Sequence, residues 1–302
     1  MKTALCIPTL NAQATAHEFL SLLDRQTFKI DKLLVIDSDS DDGSPSIFRN
    51  AGAEVFSIPR SSFNHGATRQ LAVELCPDAD IMIFMTQDSF LAFPEAIKNL
   101  LTAFDDEKVG AACGRQLPKP DASPIVAHAR LFNYPPVSAL KTSDDIVDIG
   151  VKAAFMSDSF AAYRRDVLVA IGGFPKDVIV GEDAYVAAKM LLEGWSILYC
   201  ATAAVYHSHN YGMFLELKRY FDTGVFHSRE KWFLEALGKA EGEGKRFVIS
   251  EFRYLLKNSL WHIPSALLRN CLKYSGYRLG CMERRIPGDI KKKLSMHKDY
   301  WK

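Results

Sequence analysis

Five short segments of the chain carry side chains able to do chemistry. Asp37-Ser38-Asp39-Ser40-Asp41-Asp42-Gly43-Ser44 packs four carboxylates into six residues. Such a cluster repels itself unless a cation or hydrogen-bond donors lie close. It also has the make-up of an exposed turn, and it lacks the ligand spacing and terminal Glu of a calcium loop. Met85-Thr86-Gln87-Asp88-Ser89 sets a carboxylate directly after an apolar run. There it can hold a hard cation such as Mg²⁺ or Mn²⁺ beside a diphosphate, or Asp88 or Ser89 can cap a helix ahead of Pro94. Gly181-Glu182-Asp183 opens an amphipathic stretch with Ala187, Met190 and Leu191 on its apolar side. Acidic residues there complement a helix dipole, and a carboxylate in a cleft can also act as a general base. Tyr206-His207-Ser208-His209-Asn210 places two imidazoles on the same side of an extended chain, suited to a metal or a phosphate. Asn64-His65-Gly66-Ala67-Thr68-Arg69 puts Gly and Arg at a helix start, where backbone amides and a guanidinium favour an anion.

The elements that must position these residues alternate in type. Residues 3–8, 33–37, 54–58, 81–85 and 109–114 read as strands, and residues 14–25, 67–76 and 94–104 as helices, the last with Pro94 at its first position. Strands alternating with helices indicate an α/β domain with a mostly parallel sheet, whose ligands bind beyond the carboxyl ends of the strands. Residues 117–150, rich in proline, read as a long functional loop. Beyond it come a helix over 182–193, strands over 197–200 and 204–207, and a helical region from Met213 onward.

The chain has 302 residues, and 37 basic against 36 acidic side chains leave a net charge of +1. About half of it is apolar, which excludes disorder and collagen for the whole chain. No apolar run reaches the roughly 18 residues of a membrane span, and the first residues read as a buried strand. Six scattered cysteines without a Cys-x-x-Cys pair suit reduced core positions in a cytoplasmic protein. The charge is unevenly spread: residues 245–302 hold 14 basic and 4 acidic groups, a balance of +10 that leaves −9 for the rest. This suggests two parts, a catalytic domain over 1–240 and a basic helical extension over 241–302, with the break near Gly242-Glu243-Gly244. In the extension Tyr254, Leu255, Leu256, Leu260, Trp261, Leu267, Leu268, Leu272 and Tyr274 alternate with Arg253, Lys257, Arg269 and Lys273. Such a helix can lie on an anionic membrane or pack on the main domain. A nucleic-acid partner is not expected, for there is neither a binding motif nor a run of stacking aromatics.

The order of the segments adds what no single one supplies. Over about residues 3–229 the chain resembles the family-2 inverting glycosyltransferases of GT-A fold, and most closely their bacterial rhamnosyltransferase branch. The resemblance rests on Ile7-Pro8-Thr9-Leu10-Asn11, on Val35-Ile36-Asp37 and the acidic run after it, on Phe63 to Arg69, and on Thr86-Gln87-Asp88. Gly181-Glu182-Asp183, Tyr206-His207-Ser208-His209-Asn210 and Arg219-Tyr220-Phe221-Asp222-Thr223-Gly224-Val225-Phe226 complete it. One departure stands out: the family's usual Asp-x-Asp at the metal is Thr86-Gln87-Asp88 here, a change shared with the rhamnosyltransferase branch.

The resemblance implies a GT-A, Rossmann-like nucleotide-diphospho-sugar transferase fold with a mixed, mostly parallel sheet and a C-terminal helical extension. It implies transfer of a sugar, L-rhamnose from dTDP-L-rhamnose, to a saccharide acceptor of a bacterial surface polysaccharide such as O-antigen, capsule or exopolysaccharide. Asp183 would be the base, and Asp88 with His207 or His209 would hold the divalent ion. Pro8, Thr9, Asn11, Asp37, Asp39, Arg69, Gln87 and Glu182 would serve the donor. The acceptor would be lipid-linked and the enzyme peripheral on the inner face of the plasma membrane. A UDP-sugar donor within the same family and a non-catalytic nucleotide- or glycan-binding scaffold are the competing readings. A sugar-phosphate nucleotidyltransferase is disfavoured, because Pro8-Thr9-Leu10-Asn11-Ala12 stands where its Gly-rich phosphate loop belongs.

Overall fold

The apolar runs form one sheet whose two faces are both covered. In the computed structural model, which describes residues 1–239 and 242–301, the strands are β1 (Thr3–Thr9), β2 (Lys32–Asp37), β3 (Glu54–Ser57), β4 (Ile81–Met85), β5 (Phe90–Leu91), β6 (Val109–Leu117), β7 (Ala139–Lys141), β8 (Phe160–Arg164) and β9 (Ser196–Tyr206). They are ordered β3-β2-β1-β4-β8-β6-β9-β5, with β7 also on β9. The β3-β2-β1-β4 block is parallel, β8 runs antiparallel between β4 and β6, and β6 and β9 are again parallel. Six strands therefore point the same way, and their carboxyl ends share one edge. Along β1, Ala4 and Cys6 enter the core on one face while Leu5 and Ile7 enter the core on the other. A strand buried on both faces needs an unbroken apolar run, and a large side chain such as Leu5 or Ile7 contributes about 1.5–3 kcal/mol when fully buried.

The helices of the first half are α1 (Gln13–Asp24), α2 (Ser44–Asn50), α3 (His65–Leu75), α4 (Ala96–Leu101), α5 (Pro124–Asn133) and α6 (Asp145–Ile149). They are followed by α7 (Arg165–Ala170), α8 (Glu182–Leu192), α9 (Met213–Arg229), α10 (Lys231–Leu237), α11 (Glu243–Asn258), α12 (Ile263–Cys281) and α13 (Gly288–Leu294). α3 starts two residues before the expected point because the Asn64 side chain accepts from Ala67 N at 3.0 Å and caps it.

Four expectations are corrected. Pro94 does not open a helix: α4 begins at Ala96, a 3₁₀ turn over Thr102–Asp105 replaces its last turn, and the Pro94 carbonyl accepts from Thr27 N instead. Asp88 and Ser89 cap no helix, since the chain enters β5 directly after them. Residues 117–150 are not a loop, for they contain α5, β7 and α6. Pro124, one of the prolines of that stretch, is the first residue of α5 and follows Ser123, whose hydroxyl accepts from Val126 N. The strands expected over 197–200 and 204–207 are one strand, β9, whose register against β6 shifts between Gly114 and Arg115. A bulge of this kind keeps the pairing while re-aiming the end of the strand.

The C-terminal helices join the catalytic half through close backbone contact. A Cβ on Gly280 would fall on the carbonyl oxygen of Phe221, one on Gly276 on that of Leu217, and one on Gly224 on that of Tyr277. Only glycine lets α9 and α12 approach so closely.

Candidate active site

The shared edge of the sheet brings the segments together. β1 ends at Thr9, β2 at Asp37, β4 just before Thr86, β6 beside Gln116 and β9 just before His207. Two of the four carboxylates in this run, Asp37 and Asp42, are held by hydrogen-bond donors. Asp37 is turned inward, 2% exposed. It accepts from Ser40 N at 3.0 Å, Ser40 Oγ at 2.6 Å and Thr9 Oγ1 at 3.2 Å. Asp42 accepts from Ser44 N and Gln13 N, each at 2.9 Å. Asn11 and Asp39 have positive φ, 51° and 60°, a conformation these two residue types tolerate best after glycine. Gln87 braces the β1 end in both directions, accepting from Leu10 N at 2.8 Å and donating to Leu10 O at 3.0 Å.

A cleft of about 960 Å³ opens along this edge. Pro8, Thr9, Gln87 and Arg69 contribute to its walls, whereas Asn11, Asp37, Asp39 and Glu182 contribute none. Met296, His297 and Lys298 from the end of the chain supply a wall that the sequence reading did not foresee.

Next to Gln87, Asp88 faces both imidazoles. His207 Nε2 lies 3.1 Å from His209 Nε2 and 3.5 Å from Asp88 Oδ1, and His209 Nε2 lies 3.3 Å from Asp88 Oδ2. Ligands about 2.1 Å from one divalent ion stand ~3.0–3.5 Å apart, so these three edges have coordination-sphere lengths. Burial lowers the His207 pKa below the usual range against the pull of Asp88, and pushes His209 down to about 4. Burial would raise Asp88, but the two imidazoles beside it hold its carboxyl well below the usual range. All three groups are thus in their metal-binding protonation states, and the set fits a divalent cation. Behind it, the buried Gln116 Oε1 faces His207 Nδ1 at 2.9 Å and accepts from Arg130 Nη1 at 2.5 Å, while its Nε2 donates to Ser157 Oγ at 2.7 Å. An Oε1 so placed makes Nδ1 the donor and leaves the His207 Nε2 lone pair pointing at Asp88.

Asp183 sits apart, half-buried in the first turn of α8. Gly181, at φ 80°, makes the left-handed turn that starts this helix. On α3, Arg69 is 3% exposed and ion-paired with two carboxylates: Nε lies 2.9 Å from Asp158 Oδ2 and Nη1 lies 2.5 Å from Glu182 Oε1. The Tyr163 hydroxyl donates to Asp158 Oδ1 at 2.5 Å. Two carboxyl groups therefore share one guanidinium, and Asp183 is a third acid beside them. Burial and then Arg69 act on Glu182, and the arginine wins, lowering it. Burial pushes Asp158 up to about 6 despite Arg69. Burial, Glu182 and Asp158 raise Asp183 well above an ordinary carboxyl, which makes it the strongest base of the three. Arg69 is thus an internal counter-ion as well as a cleft wall. Gln116 and Arg130 carry no mark that singles them out in the sequence, and Asp158 reads there only as part of Ser157 to Phe160, a stretch that would shape the sugar pocket.

The carboxyl edge of this α/β sheet thus carries a large cleft and, beside it, a set of side chains that fits a divalent cation, an arrangement suited to group transfer. The chain belongs to Glycosyl transferase family 2, whose profile matches residues 4–172, and it is a glycosyltransferase. It is 47% identical over 302 residues to the O-antigen chain rhamnosyltransferase RfbN of Salmonella typhimurium, covering 100% of this chain and 96% of the relative. It is 44% identical over 298 residues to WbaN of Salmonella anatum, described likewise, with 98% and 95% covered. The fold is similar to that of the mannosyltransferase PcManGT from Pyrobaculum calidifontis in complex with GDP-Man and Mn²⁺, at TM-score 0.59 and 18% identity over 99% of this chain and 84% of that one. It is also similar to S. aureus TarS in complex with UDP-GlcNAc, at TM-score 0.54 and 17% identity over 94% and 92%. The GT-A architecture expected from the sequence is the one observed.

Proposed function

We propose that the protein transfers L-rhamnose from dTDP-L-rhamnose, with inversion, to a saccharide acceptor in O-antigen assembly. The observation that carries transfer from a nucleotide donor is the Asp88–His207–His209 set adjoining the cleft at Gln87. The sugar follows the names of the two Salmonella relatives, which align along nearly the whole chain. Pro8 and Thr9 wall the base end of the cleft, and Asp37, buried behind them, serves the donor by holding the Thr9 hydroxyl and the turn at Ser40. Asn11, Asp39 and Gln87 shape the loops around it. Asp88, His207 and His209 would hold Mg²⁺ or Mn²⁺, which would supply positive charge to the departing diphosphate. Asp183 takes the proton of the acceptor hydroxyl as its oxygen bonds to the anomeric carbon. The bond from that carbon to the diphosphate oxygen breaks in the same displacement, and the nucleoside diphosphate leaves with the electron pair. Glu182 beside Asp183 raises the proton affinity of this base, and Arg69 pulls the other way.

Calorimetric titration with dTDP, UDP, GDP and ADP, with and without Mn²⁺, tests the reading. A preference for dTDP strengthened by the metal is expected; preference for UDP changes the sugar, and no binding of any nucleotide refutes the donor reading.

The basic extension is read as a membrane-docking region on the cytoplasmic side, serving a lipid-linked acceptor. Trp261 is 94% exposed, and Phe252, Leu256, Leu260, Leu267 and Leu268 are exposed around it with Arg253 and Lys257. No helix among the described residues is long and apolar enough to cross a membrane. Co-sedimentation with anionic liposomes at low salt is expected, and its absence removes the membrane from the scheme.

A further inference from the structure

The motif Arg219 to Phe226 on α9 has no part in the scheme above, yet two of its residues grip the end of the chain. Asp222, 1% exposed, accepts from Met296 N at 2.8 Å through Oδ2. Phe221 packs on the buried Trp301, with ring centroids 6.2 Å apart. Further along α9, Arg229 donates to the Tyr300 hydroxyl at 3.0 Å and pairs with Glu283 at 3.2 Å. The His297 ring meets His65 edge to face at 5.3 Å, which seats the segment against the start of α3. The chain end is thus fixed at both sides, and its middle forms cleft wall.

The cations in that wall differ in their engagement. Arg69 is held by Asp158 and Glu182, and Lys176 pairs with Glu74 at 3.2 Å. Among the described residues Lys298 has no ion pair or side-chain hydrogen bond, and Arg60 reaches only the Asp39 carbonyl, at 3.4 Å. Both are exposed, both line the cleft, and they come from distant segments. Asp177 and Asp299 line it too, so an anion must find the two free cations and not a uniformly positive surface.

We propose that residues 295–301 are part of the donor site: α9 brackets this segment through Asp222 and Arg229, and Lys298 acts with Arg60 on the diphosphate of the donor. The proposal rests on the nucleotide-sugar reading and adds to it two diphosphate ligands and a purpose for the α9 motif. Asp222 is a positioning residue, acting through the segment it holds.

The test compares nucleoside diphosphate with nucleoside monophosphate binding, using dTDP and dTMP. Lys298→Ala, which removes an exposed side chain without partners, is expected to weaken dTDP roughly 10- to 100-fold, as loss of a charge-assisted contact does, and dTMP far less. Asp222→Ala is expected to reduce dTDP binding similarly, and Lys298→Ala added to it should cost little more, because the contact is already lost. Unchanged dTDP affinity in Lys298→Ala overturns the proposal while the donor reading stands. Equal weakening of dTDP and dTMP also overturns it, since the lysine would then serve the nucleoside end. Wild-type protein that binds no nucleoside diphosphate refutes the donor reading and this proposal with it.

Discussion

Asp158→Asn should stabilise the protein at alkaline pH even though it removes half of a buried ion pair. The carboxyl is 2% exposed, and burial, only partly offset by Arg69, lifts it from the ordinary 3.8 to about 6. The folded state therefore holds this proton more tightly than the unfolded state does. Stability is highest below 3.8 and is lost as pH rises to about 6. At about 1.4 kcal/mol per pH unit, the ionised form costs roughly 3 kcal/mol, an upper figure because Glu182 shares the same arginine. An asparagine mimics the neutral acid: its oxygen can accept from Arg69, its amide can donate to the Tyr163 hydroxyl, and Glu182 still balances the guanidinium. Urea unfolding at pH 4 and pH 8 measures the effect. The variant should match the wild type at the lower pH and exceed it at the higher by up to about 3 kcal/mol. A variant less stable than wild type at pH 8 refutes the reasoning and shows the Arg69–Asp158 pair to be net favourable. The acid limb of kcat/KM should also move to lower pH, because a carboxylate that raises Asp183 has been neutralised.

Asp183→Asn should lower transfer by roughly 10²- to 10⁴-fold while donor binding stays near wild type, read by single-turnover transfer and by calorimetry. The same change should raise the melting temperature at pH 8, since a carboxyl pushed up by burial no longer has to ionise. Gln116→Ala should weaken Mn²⁺ binding roughly 10- to 100-fold with nucleotide binding in EDTA unaltered, because His207 loses the acceptor that orients it. Gly280→Ala should lower the melting temperature, since its methyl meets the Phe221 carbonyl and the two backbones have nowhere to yield.

The parts of the fold legible in the sequence were those with a short period and local punctuation. The runs at Ile7 and Val35 read as doubly buried strands because nothing polar interrupts them, and the polar residues directly after the strands marked the edge where chemistry gathers. Asp88, His207 and His209 stand out in the sequence because carboxylate and imidazole are ligand types at strand ends, and the fold brings the three together. Gln116 carries no such chemical mark, and its role exists only once β6 and β9 pair. Asp158 matters through Arg69, a partner that only the packing of α3 against the sheet reveals. α5 is hidden in the proline-rich stretch 117–150, which reads as loop although proline at a first helical position, as Pro124 is, marks a start. The wall made by residues 295–301 depends on a contact between residues 74 apart in sequence, which no periodicity reports.

The glycine-lined crossing of α9 and α12 has a consequence for anyone exchanging parts between related enzymes. A hybrid joined near Gly242 would set the α9 of one parent against the α12 of another. Any side chain larger than hydrogen at the three contact positions would then pry the helices apart. A junction ahead of Met213 transplants both faces of the crossing together, and with them the chain end that α9 carries. The natural unit of exchange is the helical pair with its terminal strap, not the charged tail that the composition sets apart.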